Sequence, residues 1–155
     1  MIKFPFPDKE AAYQELLRDY SYNKIKNENI ENIFNIGWNS GIKAADNLVS
    51  KIGECKDFKS IAKKADLRVI NKDMDRVLGN VRFFSEYVTN KSTIYMYEKS
   101  IQRWAKENKL NYDLAYNMIL AHEFYHFLEY TKIGLTSKKV RIPFLKIGKF
   151  KLGST

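Results

Sequence analysis

Both histidines of this 155-residue chain lie in one short segment, Ala121-His122-Glu123-Phe124-Tyr125-His126, and its surroundings constrain the fold. On a helix, Ala115, Met118 and Ile119 precede the histidines on nearly the same face, while Leu120, Phe124, Phe127 and Leu128 cover other sides. A helix apolar over most of its circumference must be packed all round, which makes it a central one. Asn111 suits its N-cap, and Gly134 can end it just after Lys132. The chain must therefore supply enough structure to bury this helix. At 155 residues and 45% hydrophobic content, one globular domain over 1–155 is expected.

The remaining pattern predicts an α+β fold: helices packed on a small, mostly antiparallel three-stranded sheet, with the histidine helix at the centre. Residues 1–65 are mostly helical. A first helix runs from a capping Asp8 to Tyr20, and a polar stretch follows from Ser21 to Asn29. Ile30, Ile33, Phe34, Trp38, Ile42, Ala45, Leu48, Val49 and Ile52 then recur at helical spacing, in a helix weakened at its middle by Gly37 and Gly41, which can kink it, and stopped by Gly53. Asp57 can cap a short helix through Ala65. Residues 66–98 form the sheet, from Leu67–Ile70, Val81–Val88 and Thr93–Tyr97. Asn90-Lys91-Ser92 is short enough for a hairpin, and Gly79 allows another turn. Residues 99–134 hold two helices, Lys99–Asn108 and the histidine helix. The remainder, 135–155, is a basic tail of irregular or short extended structure.

Composition narrows the setting. Cys55 is the only cysteine, so no internal disulfide can form and a reducing cytoplasm is the natural compartment. No apolar run approaches a bilayer span, and the apolar part of Met1–Pro7 is too short for a signal peptide. The net charge is +9, with no acid from Tyr130 onward but Lys132, Lys138, Lys139, Arg141, Lys146, Lys149 and Lys151. Such a tail can meet nucleic acid or simply keep the protein soluble, and charge alone does not choose.

The chemistry follows from the spacing. Residues four apart on a helix sit one turn apart on one face, so His122 and His126 can converge on one zinc ion at about 2.0–2.1 Å. Glu123 is rotated by about 100° from His122, beside such an ion rather than on it. There it can act as general base towards a zinc-activated water and return the proton to the leaving amine. A tyrosine would serve as donor to the oxyanion, but with 10 tyrosines the sequence does not choose one. The bland alternative is a partly buried histidine pair that only packs.

With these elements in place, the chain resembles the ImmA/IrrE family of metallopeptidases. The resemblance runs from about Ala44 to His126, through Ile61–Val69, Thr93–Glu98 and Met118–His126, and only the last segment is specific. It implies a gluzincin-like, zincin-type fold in a bacterial or phage regulatory protein. It also implies Zn2+ held by His122 and His126, Glu123 as catalytic base, and a helix-turn-helix repressor as protein substrate. In the family the third zinc ligand is commonly a glutamate on a later helix. After Glu129 the chain has no Asp, Glu, His or Cys. Three readings stay open: a C-terminus truncated at Thr155, Glu129 as the third ligand, or a weak metal site in a protein that acts without hydrolysis. The last gives a non-catalytic module that binds metal, protein or nucleic acid.

Overall fold

A computed structural model describes residues 8–18, 22–25, 27–53, 57–139, 142–147 and 150–154. Met1–Pro7, Tyr20, Ser21, Cys55, Arg141, Gly148, Lys149 and Thr155 lie outside the described residues. The protein is α+β and forms two compact units, Met1–Asn47 with Ile133–Thr155, and Leu48–Lys132.

In the first unit, Asp8 caps helix α1 (Lys9–Arg18) as expected, its carboxylate accepting the Ala11 N–H at 2.8 Å. Helix α2 (Asn27–Ile52) begins inside the stretch expected to be polar linker, and runs unbroken through Gly37 and Gly41. Tyr13 meets Phe34 edge-on at 5.3 Å, and Phe34 stacks near Trp38 at 6.1 Å. Gly53, at φ +71°, stops α2 because that left-handed conformation strains any residue with a Cβ.

The second unit holds the site. Asp57 caps α3 (Phe58–Lys64) by accepting from the Ser60 N–H and hydroxyl at 2.8 and 3.0 Å. Strand β1 (Arg68–Lys72) follows, then β2 (Arg76–Leu78), β3 (Val81–Phe83), β4 (Ser85–Val88), β5 (Thr93–Tyr97), α4 (Glu98–Glu107) and α5 (Tyr112–Leu128). The main sheet has the order β1-β5-β4, with β5 parallel to β1 and antiparallel to β4. It is thus mixed rather than mostly antiparallel. Residues 73–92 separate β1 from β5, long enough for the crossover a parallel pair requires, whereas the short turn Thr89–Lys91 turns β4 back onto β5.

The expected single strand Val81–Val88 is two strands. Val81–Phe83 pairs with Arg76–Leu78 in a separate hairpin, and the chain bends at Phe84 before β4 joins the main sheet. The hairpin turns at Gly79, whose φ is +58°.

Strand β5 is central and buried almost throughout; Ile94 and Met96 are inaccessible to solvent. Against it lies α5, with Ala115, Tyr116, Leu120, Glu123, Phe124, Phe127 and Leu128 buried around its circumference. Each large apolar side chain buried there contributes about 1.5–3 kcal/mol, which makes α5 the axis of this unit's core. Asn111 caps it, accepting from the Asp113 and Leu114 N–H groups at 2.8 and 3.3 Å. Its continuation to Ile133 is a single wide π turn, Glu129–Ile133, closed by Gly134 at φ +75°. The tail holds short extended structure: β6 (Ile142–Ile147) and β7 (Phe150–Ser154) pair antiparallel.

Candidate metal centre

Helical spacing brings His122 and His126 together. Their Nε2 atoms lie 3.1 Å apart, with ring centroids 4.7 Å apart and the rings nearly perpendicular. Two nitrogens held tetrahedrally at about 2.0–2.1 Å from one zinc ion lie about 3.3 Å from each other. The two histidines therefore fit one small cation between them, and His122 is exposed so that an ion can reach it.

Glu129 is also brought to the site, but to the other side of the ring. Its Oε2 lies 3.1 Å from His126 Nδ1, and its side chain is only 11% exposed. An Nδ1–H donated to this carboxylate leaves the Nε2 lone pair directed at His122. That is the support metal-ligating histidines ordinarily receive. The Glu129 Oε2 thus stands on the Nδ1 side of the His126 ring, away from the Nε2 pair. The wide π turn starts at this residue. Among the described residues no group of three or more His, Cys, Asp or Glu side chains could hold a metal ion.

Glu123 faces inward, off the face of the histidine pair as the rotation predicts. It is 8% exposed and its Oε1 accepts a hydrogen bond from the Ser85 hydroxyl at 2.7 Å. Ser85 opens β4, the edge strand of the main sheet among the described residues, so the sheet aims the carboxylate. Beside them opens a cleft of about 400 Å³ whose lining includes Arg82, Phe84, Ser85, Trp104, His122 and Glu123. Phe84 and Trp104 lie 5.7 Å apart and give it an apolar wall. Arg82 reaches it from β3, gripped by both carboxylate oxygens of Asp75 at 2.9 and 3.3 Å. This grip, together with the Ser100 hydroxyl donated to Asp75 at 2.8 Å, holds the Asp75 carboxyl below its ordinary range.

Sequence reasoning missed Ser85, Arg82, Asp75 and the role of Trp104. Ser85 and Arg82 sit inside a run read only as strand, and nothing local marks either. The tyrosine sought as oxyanion donor is absent from the described residues that line this cleft.

No protein-family model, curated protein or solved structure matches the chain. Among the described residues no helix is long and apolar enough to cross a membrane.

Proposed function

We propose that this chain is a zinc-dependent endopeptidase that acts on a regulatory protein in the cytoplasm. The observation that carries the reading is the pairing of His122 and His126 Nε2 at 3.1 Å next to a buried Glu123 that opens onto a cleft. His122 and His126 would hold the metal, and Glu129 would keep His126 in the tautomer that can do so. The chemistry that a zinc ion would supply there, when bound, is that of a Lewis acid. Glu123 takes the proton of the attacking water and gives it to the leaving amine, while Ser85 fixes its orientation. The apolar wall of Phe84 and Trp104 suits a hydrophobic substrate side chain, and the edge of β4 can pair with an extended peptide. Arg82 offers positive charge to a developing oxyanion. A helix-turn-helix repressor is the substrate class suggested by the resemblance to the ImmA/IrrE family.

A second reading is favoured by one observation, the two-histidine donor set without a third protein ligand among the described residues. Catalytic zinc usually has three protein ligands and an open position. A two-ligand site suits a non-catalytic module that binds metal weakly and acts by contact with a repressor or nucleic acid. Metal analysis of the purified chain separates the two. The peptidase reading expects one zinc per chain, and Glu123→Gln should keep that zinc while losing proteolysis. Absence of zinc, with function intact after His122→Ala and His126→Ala, overturns it.

A further inference from the structure

A second cavity of about 720 Å³ lies elsewhere in the Leu48–Lys132 unit and shares no lining residue with the cleft at Glu123. Four cations line it: Lys59 and Lys63 from α3, Arg68 at the start of β1, and Lys91 from the turn before β5. The fold gathers them. Lys59 and Lys63 are four apart on one helical face, and the Arg68 N–H donates to the Ser92 carbonyl at 3.2 Å, which brings the two strand starts together. Asp66 is the only acid among the described residues that line the cavity.

Like charges that line one cavity repel one another unless a counter-charge meets them. Arg76, Arg82, Lys99 and Arg103 each pair with a carboxylate, whereas none of the four cavity cations does among the described residues. The lining is of mixed polarity: Asn71 and Ser92 stand beside the buried Leu67 and Tyr116, and the Lys59 Nζ sits 4.2 Å above the Tyr116 ring. Unpaired Lys and Arg around a lining of mixed polarity suit a small ligand that joins clustered negative charge to a body able to meet both polar and apolar groups. The volume falls within the range of about 300–1,000 Å³ typical of small-molecule sites.

We infer that this cavity binds a small molecule of nucleotide size carrying two or more phosphates. A nucleic-acid strand would be met by cations along a track, whereas these four line one small cavity. The inference does not rest on the peptidase reading.

Calorimetric titration of the full chain with ATP, and separately with inorganic tripolyphosphate, tests it. Saturable binding of one ATP per chain is expected, weakening by at least about tenfold between about 50 mM and 300 mM salt. The double variant Lys63→Glu/Arg68→Glu should weaken ATP binding at least tenfold, and the milder Arg68→Gln/Lys91→Gln should weaken it in a chain with unchanged circular dichroism. His122→Ala should bind ATP as the parent does, which separates this cavity from chelation at the histidines. Weaker binding of tripolyphosphate than of ATP would support a contribution from the uncharged part of the lining. The inference is overturned if neither anion binds at about 2 mM, well above the usual micromolar range of specific ligands. It is equally overturned if the charge variants leave affinity unchanged, or if a single-stranded oligonucleotide binds where ATP and tripolyphosphate do not.

Discussion

At the residue scale the site turns on how each polar group is held. Glu129 Oε2 lies on His126 Nδ1 at 3.1 Å, so on the proposed reading its charge would act on a bound metal through the ring. Glu129→Gln keeps an oxygen to accept the Nδ1–H but removes the charge, and zinc affinity should fall by about 10–100-fold. A competition titration with a fluorescent chelator measures it; unchanged affinity would remove Glu129 from the site. Ser85 supports Glu123 in the same manner. Ser85→Ala leaves a buried carboxylate oxygen without its donor, which should lower stability by about 1–3 kcal/mol in urea unfolding. His122, Glu123 and His126 were legible in the sequence because a helix turns chain spacing directly into spatial spacing. Ser85 was not, because its partner lies 38 residues away and only the packing of β4 against α5 joins them.

At the scale of elements, what could be read followed how local the determinant is. Asp8, Asp57 and Asn111 cap their helices as expected, since a cap needs only its own N–H neighbours. The break inside Val81–Val88 was hidden because Val, Phe and Tyr suit both a free hairpin and a sheet. The parallel pairing of β1 with β5 is likewise invisible in either segment, being set by what the 73–92 connection does. That connection depends on Gly79 at φ +58°. Nothing crowds the position where a Cβ would stand, so Gly79→Ala should act through the backbone alone. It should destabilise by about 1–2 kcal/mol, the usual penalty of the left-handed region. The hairpin carries Arg82 to the cleft, so on the peptidase reading peptide cleavage should weaken in kcat while metal content is kept. Kinetics on a peptide substrate beside a zinc assay would check this; loss of zinc would mean the hairpin supports the metal site as well.

Across the whole molecule, protonation links buried groups to global stability. Tyr97 is 4% exposed at the end of β5, and its hydroxyl donates to Glu86 at 2.8 Å. Burial first, and then that carboxylate, push its pKa up to about 12 from the ordinary 10.0. Burial also raises Tyr116, whose hydroxyl donates to Asn71 at 2.7 Å. The folded state thus keeps phenol protons that the unfolded chain releases above about pH 10. Stability from Tyr97 is complete below that pH and is lost as pH rises through 12, because the unfolded state then binds fewer protons. The urea midpoint should therefore fall between about pH 10 and 12, in the window where lysines also discharge. Tyr97→Phe separates the two effects, since it keeps every lysine and most of the ring's packing while removing the titrating hydroxyl. The variant should start slightly less stable near neutral pH and lose less over the alkaline window, with Tyr116 carrying part of the remaining slope. Parallel slopes for parent and variant would mean that the Tyr97 phenol is not linked to folding, and that lysine discharge and Tyr116 set the alkaline limit.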